Sequence, residues 1–533
     1  MILTMKLAID HLPDDPKILK EVIVEFYNET SVLKEQIALL KHMLFGRKSE
    51  KYKAENGVSQ LKFDFDGESA EKTSAEDTQP ETTTVEVSSH KRRKRGRKPL
   101  SASLPREERI FDISEAEKVC ECGSPKSVIG KETSEHLQYI PAKCKVIVNI
   151  RPKYACRNCE GAESEKPAVT VAPPPPQIIP KSFATASLLA YLITSKYVDC
   201  LPFYRLSKMF SRHGVELSRA TMCNWVLRVA SLLKFMPELF VEEIHKSSYV
   251  HADETPFQVL KEVGRSADQK SQMWVIRTDD SDNPTVLFHY DTSRSAKVAE
   301  SLLQDFKGYI QTDACPSYNW IGKNAHQKHL GCLAHVRRKF HDAIKAVGKN
   351  AKPGIAHKAF AIIAKLYAVE HEAQEKGLDF EQIATLRQEK AKPILDELHA
   401  KLKKWKVTVL PKSNTGKAIS YTLKAWEKLV VYLEDGKLKI DNNAAERTIR
   451  PFALGRRNWL FSDTAQGAKA SATIFSITET AKANNLDPYW YMLTLLEKLP
   501  ELTKKEDFIA WIPQNIDKKL VEEVKNKYQS PVS

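Results

Sequence analysis

Asp441-Asn442-Asn443-Ala444-Ala445-Glu446-Arg447-Thr448-Ile449-Arg450-Pro451, continuing to Gly455-Arg456-Arg457-Asn458-Trp459-Leu460-Phe461, is the stretch on which the reading of this chain turns. Glu446 stands one residue before Arg447, and Arg450, Arg456 and Arg457 follow within ten positions. A solvent-facing helix has little use for that pattern, whereas a site that holds a cation beside a phosphate chain needs it. Locally, Asn443 and Glu446 have capping-box spacing. That predicts a short helix capped by Asn443 and running to about Pro451, then a basic loop ending in Trp459-Leu460-Phe461. Arg450, four residues after Glu446, could also pair with it along the helix.

Working outward, two upstream acids look for a third partner. Tyr249–Pro256, Gln272–Arg277, Pro284–Tyr290 and Gly308–Asp313 alternate with period two and read as strands, and Ser295–Phe306 reads as a helix. The first strand carries Asp253 and the last ends at Asp313. Three strands, a helix and a further strand are the order of an RNase H-like α/β core. Residues 331–435 are helical in pattern and strongly charged, and they interrupt the sheet. The catalytic-type domain therefore spans 246–485 with a helical insertion over 331–435, and a helical segment at 486–533 follows it. Spacing leaves open whether Asp253 or Glu254 faces the site, and Asp313 could cap the turn before Pro316.

Cleaving and joining phosphodiesters requires a deprotonated nucleophile and an offset for charge on the leaving oxygen. Two Mg2+ ions about 3.5–4 Å apart do both, and Mn2+ can substitute. Hard cations take oxygen ligands, so Asp253, Asp313 and Glu446 meet the specification.

The 533 residues suffice for several domains. The net charge of +14 points to a polyanionic partner, most simply nucleic acid. No apolar run approaches the roughly 18 residues of a membrane span, and residues 1–10 lack the pattern of a signal peptide. Nine cysteines, an odd number scattered over a long chain, argue for a reducing compartment with metal sites rather than a disulfide framework.

Near the N-terminus, Leu19, Ile23, Phe26, Thr30, Leu33, Ile37, Leu40 and Leu44 repeat every 3.5 residues. This is the seam of a coiled coil over 18–48 and predicts a homo-oligomer. Residues 50–100 read as a disordered linker, acidic and then basic. Arg95 and Arg97 in its basic arm suit a DNA minor groove. Cys120, Cys122, Cys156 and Cys159, with a strand over Lys145–Tyr154 between the pairs, give residues 105–165 the layout of a structural zinc module. A proline-rich spacer follows at Val169–Pro180. Residues 180–245 then hold two helices around Gly214, the second capped by Ser218 and beginning at Arg219, in helix-turn-helix order suited to DNA. Cys332 and His335 share a helix face and could bind a metal, but with no second ligand pair nearby in sequence packing or hydrogen bonding is the better reading. Arg337 and Arg338, next to them, read as phosphate contacts.

Taken together, these motifs resemble the transposases of the insertion-sequence-66 family, a group of bacterial DDE transposases. The resemblance rests on Leu44-Phe45-Gly46-Arg47-Lys48-Ser49-Glu50, the Cys156/Cys159 module, Ala252-Asp253-Glu254-Thr255-Pro256, Gln311-Thr312-Asp313, Cys332-Leu333-Ala334-His335 with Arg337-Arg338-Lys339-Phe340, and Asp441 through Phe461. It implies that Asp253 and Asp313 are catalytic aspartates, that Glu446, 133 positions further on, is the catalytic glutamate, and that a helical insertion separates them. It also implies an enzyme at the bacterial nucleoid in the cytoplasm, acting on the terminal inverted repeats of its element and on target DNA, with accessory proteins of the same element. Cys120-x-Cys122 departs from the two-residue gap usual in the family. Two other readings of the same residues are a DNA-binding regulator and a structure-specific nuclease that cuts without joining.

Overall fold

In the computed structural model the described residues are 15–45, 144–155, 169–279, 283–323, 325–347 and 353–529. The chain forms two compact units, residues 1–65 with 153–533 and residues 66–152. In the second unit residues 144–152 carry no regular structure. Val146, Val148 and Ile150 are exposed, and alternation with no surface to bury against does not make a strand. The strand expected over Lys145–Tyr154 is thus reduced to β1 (Lys153–Ala155) in the first unit, paired antiparallel with β2 (Val169–Val171). The expected linker, Arg95, Arg97, Cys120, Cys122, Cys156 and Cys159 lie outside the described residues.

Helix α1 spans Pro16–Phe45. After β2 come α2 (Ala186–Tyr197), α3 (Phe203–Arg212), α4 (Arg219–Leu232) and α5 (Met236–Lys246). Ser218 caps α4 as its sequence predicts, accepting the Thr221 N–H at 3.1 Å. These helices have no core of their own. Leu206, Met222, Trp225 and Val229 share one cluster with Val250 and Ala252 of the sheet and with Leu493 and Leu496 near the C-terminus. The expected boundaries at 245 and 486 therefore do not separate cores: short amphipathic helices bury their apolar stripes on the sheet.

The sheet has six strands: β3 (Tyr249–Lys261), β4 (Lys270–Thr278), β5 (Val286–Asp291), β6 (Gly308–Gln311), β7 (Gln327–Leu330) and β8 (Phe461–Thr464). Helix α6 (Ala296–Leu303) crosses between β5 and β6. The order is β5-β4-β3-β6-β7; β4 runs antiparallel to both its neighbours, and β3, β6 and β7 are parallel. The long β3 pairs with β6 over its first residues and with β8 from Gln258 onward. Gly308 opens β6 at φ +132°, where any side chain would strike the Ser248 backbone.

After β7 the insertion forms α7 (Leu333–Val347), α8 (Ile355–Glu375), α9 (Phe380–Leu386), α10 (Lys392–Thr408), α11 (Asn414–Lys424) and α12 (Trp426–Val430). They build a second core of Leu333, Phe340, Ile363, Leu366, Leu398 and Ile419, against which Tyr249 and Leu330 also pack. Arg387, 2% exposed, pairs with Glu370 at 2.7 Å. It also donates to the carbonyls of Tyr432, Asp435 and Leu438 at 2.8–2.9 Å, clamping the chain as it returns to the sheet. That return delivers α13 (Asn443–Trp459), then β8, α14 (Ala465–Ala483), α15 (Pro488–Lys498) and α16 (Lys518–Gln529). Among the described residues no helix is long and apolar enough to cross a membrane.

Candidate active site

The two aspartates are brought together by strand register. Val250 lies beside Ile310 and His251 beside Gln311 in the parallel β3–β6 ladder; carried two residues on, that register sets Asp253 beside Asp313. One oxygen of each carboxylate accepts a backbone N–H at 2.9 Å, from Glu254 and Cys315 respectively, and this orients both side chains. Period-two alternation sends Glu254 to the opposite face, where it is 8% exposed. There it binds Arg294 at 2.5 Å and the Tyr318 hydroxyl at 2.6 Å. Asp253, not Glu254, therefore faces Asp313.

Glu446 arrives on the first turn of α13. Arg338 Nη2 lies 3.2 Å from its Oε2, and His335 Nδ1 lies 3.8 Å from its Oε1. Burial, then Glu254, then Glu446 and Asp313 hold the Asp253 carboxyl well above the ordinary carboxylate range, outweighing the backbone N–H it accepts. Burial is the largest cause, and the neighbouring carboxylates add to it.

The local cap differs from the expected capping box. Asn442, not Asn443, precedes the helix, and its side chain makes no cap bond. That side chain is spent on tertiary contacts: Oδ1 meets His251 Nδ1 at 2.8 Å and Nδ2 donates to the Ala252 carbonyl at 2.9 Å. The Asn442 N–H donates to Cys332 Sγ at 3.1 Å. The Asn443 N–H and amide go to Asp441 instead. One buried asparagine therefore ties the start of α13 to β3 and to the start of α7. The preceding residues are pinned too, since Gln311 donates to the Lys439 carbonyl and the Tyr249 hydroxyl accepts the Lys439 N–H.

Helix α13 runs through Pro451 to Trp459 rather than giving way to a loop. Phe452 packs edge-on against Phe257 and Phe475, holding it to the sheet. The expected loop ends as β8. Arg447 and Arg457 are exposed, while Arg450 and Arg456 are half-buried. Arg456 donates to Thr255 Oγ1 at 3.4 Å and to the Pro256 carbonyl. Arg337 stacks 4.9 Å over Phe360, Arg338 holds Glu446, and Arg219 is exposed at the start of α4. Arg338 is thus an ion-pair partner in the free protein, where the sequence suggested a phosphate contact. Its pairing with Glu446 across 108 positions left no local signal.

Comparison with known proteins places the sequence with the transposases. The family model described as "Transposase IS66 family" matches residues 181–470, a model for the IS66 C-terminal element matches 476–513, one for a zinc-finger binding domain of transposase IS66 matches 117–160, and one described as "Transposase C of IS166 homeodomain" matches 32–109. Two relatives from Sinorhizobium fredii, both described as uncharacterized proteins, extend the likeness. Protein y4jD is 31% identical over 95% of this chain and 98% of its own length, and y4qI is 32% identical over 92% and 88%. The chain belongs to the IS66 family of transposases.

Proposed function

We propose that this chain is a DDE transposase with an RNase H-like core, in which Asp253, Asp313 and Glu446 hold two divalent cations, Mg2+ or Mn2+, and act on the terminal inverted repeats of an element and on target DNA. The observation that carries the reading is the β3–β6 register beside Asp253 and Asp313, together with the Asn442 tether that fastens the start of α13, which bears Glu446, to β3. The strand order, with its second strand antiparallel to the rest, supports the core assignment. The donor set fits hard cations: all are carboxylate oxygens, and Glu446 Oε1 is buried with no hydrogen-bond partner among the described residues. Asp253, Asp313 and Glu446 would hold the cations, which would supply a lowered pKa for the attacking hydroxyl and an offset for charge on the leaving oxygen. The chain's own residues do the positioning. Asp253 and Asp313 keep fixed rotamers through their backbone bonds, and Arg447, Arg450, Arg456 and Arg457 line α13 where a DNA backbone would run. Arg219, Arg337, Arg338, Arg95 and Arg97 extend that basic surface, and Cys120, Cys122, Cys156 and Cys159 would hold a structural zinc.

The test is purified protein with Mg2+ on DNA carrying the ends of the genomic element. Joined strands are the expected product. Cleavage without joining would favour a nuclease, and binding without nicking a regulator.

Helix α1 carries the self-association part of this proposal. Glu35 accepts the Asn414 N–H at 3.1 Å, and the half-buried Ser31 and Val32 lie on that same side, where the helix packs on α7 and α11. The heptad stripe points elsewhere, leaving Ile23, Phe26, Leu33, Ile37 and Leu40 51–58% exposed. An exposed 3.5-period stripe favours a partner helix from a second copy, in line with the homo-oligomer that the heptad repeat predicts. Replacing Leu33 and Ile37 together by Lys is expected to reduce the mass in light scattering to that of one chain, with an unchanged melting temperature. An unchanged mass would remove this assignment.

A further inference from the structure

We infer that Cys332, His335 and Glu446 form a second cation site, selective for a thiophilic divalent ion such as Zn2+, and that it shares Glu446 with the proposed Mg2+ site. Cys332 and His335 sit at the start of α7, three residues apart and so on one helix face. Glu446 joins them from α13, 111 positions after His335. One ligand atom from each lies within 4.8 Å of the others, and among the described residues this is the one group of three such side chains drawn so close. Tetrahedral zinc, with Zn–S about 2.3 Å and Zn–N or Zn–O about 2.0–2.2 Å, sets ligand separations of about 3.3–3.7 Å. His335 Nδ1 and Glu446 Oε1 are already 3.8 Å apart.

A second observation points the same way. His335 Nδ1 and Glu446 Oε1 are both buried atoms with no hydrogen-bond partner among the described residues. Two such atoms facing each other, too far apart to bond directly, call for something between them. The sulfur is supported as metal-bound sulfurs are, because the Asn442 N–H points at it. Its softness excludes Mg2+, which takes oxygen ligands, and favours zinc or cadmium. Binding expels the Cys332 thiol proton to solvent and leaves a thiolate, an imidazole and a carboxylate on the ion, with a fourth position open. Because both sites draw on the same oxygen, Glu446 Oε1, a thiophilic ion here competes with Mg2+.

Ion binding itself does not rest on the transposase reading, and it is measured without DNA. Full-length wild type, Cys332→Ala and His335→Ala are equilibrated with Zn2+ at buffered free concentrations and bound zinc is counted. Cys120, Cys122, Cys156 and Cys159 stay intact in all three proteins. Each variant is expected to hold one ion per chain fewer than wild type, with an unchanged circular-dichroism spectrum. His335→Ala, at a half-exposed position, keeps the result decisive if Cys332→Ala misfolds. Equal zinc content in wild type and His335→Ala overturns the proposal, as does a loss in Cys332→Ala alone. In a strand-transfer assay at fixed Mg2+, rising Zn2+ is expected to inhibit wild type at least about tenfold more sensitively than His335→Ala; equal sensitivity overturns the competition.

Discussion

Asp253→Asn is expected to abolish strand transfer while raising the melting temperature of the metal-free protein. The activity loss follows from the cation site. A bound metal contributes several kcal/mol of transition-state charge stabilisation, so losing a ligand oxygen should cost about 10³-fold or more. The stability gain follows from the Asp253 carboxyl being held well above its ordinary range, first by burial and then by Glu254, Glu446 and Asp313. A carboxyl whose folded pKa lies above its unfolded one favours the fold while protonated, below the unfolded value near 3.9. That favour is lost as pH rises toward the folded pKa, so at neutral pH burying this carboxyl works against the fold, whichever form it takes. Asparagine keeps the acceptor for the Glu254 N–H and removes the charge. The expected gain is about 0.5–2 kcal/mol, as for relief of a strained active site. The melting difference should shrink as pH falls, because wild-type Asp253 then protonates. Added Mg2+ should raise the wild-type melting temperature and leave Asp253→Asn nearly unmoved. A variant that melts lower than wild type at neutral pH, or still joins DNA, would sink the assignment of Asp253 to the cation site.

What the sequence made legible, and what it hid, divides by the range of the interactions involved. Period-two alternation marked β3, β4, β5 and β6, and Asp253 within β3 and Asp313 just past β6 were visible because apolar strands rarely carry such residues. β7 was hidden: Gln327, Lys328 and His329 give it no apolar pattern, and it exists because β6 offers it a parallel edge. β8 was read as loop for a similar reason, since its four residues are organised by the far half of β3. The choice between Asp253 and Glu254 needed Arg294 and Tyr318, 40 and 64 positions away. Cys332 and His335 read as packing because their third partner comes from another helix. The capping box failed instructively. Asn443 and Glu446 satisfy the local rule, but His251 and Ala252 claim the Asn442 side chain, and tertiary bonds outrank a terminal cap worth about 1 kcal/mol.

That claim on Asn442 supports the second large effect. Asn442→Ala is expected to lower strand transfer about 10²-fold and to destabilise the fold by about 2–5 kcal/mol. The stability term is the cost of leaving His251 Nδ1 and the Ala252 carbonyl without partners at a position 1% exposed, about 1–3 kcal/mol for each group. The activity term is geometric. Glu446 lies one turn beyond Asn442, its N–H bonded to the Asn442 carbonyl at 3.2 Å, so slack at the tether moves the third acid relative to Asp253 and Asp313. A misplacement of about 1 Å can cost about 10²-fold. A purely structural role would show only as instability. The comparator is Leu398→Ala, cut from the fully buried second core, where a loss of about 2–5 kcal/mol is usual. Both variants are assayed well below their melting temperatures. Asn442→Ala should need several-fold more Mg2+ for half-maximal activity, because its carboxylates no longer converge, whereas Leu398→Ala should keep the wild-type Mg2+ dependence. If the two variants shift alike, Asn442 merely holds the fold together. If only Asn442→Ala shifts, the segment that brings the chain back from the insertion serves the site, because Asn442 fastens the start of α13, and with it Glu446, to β3.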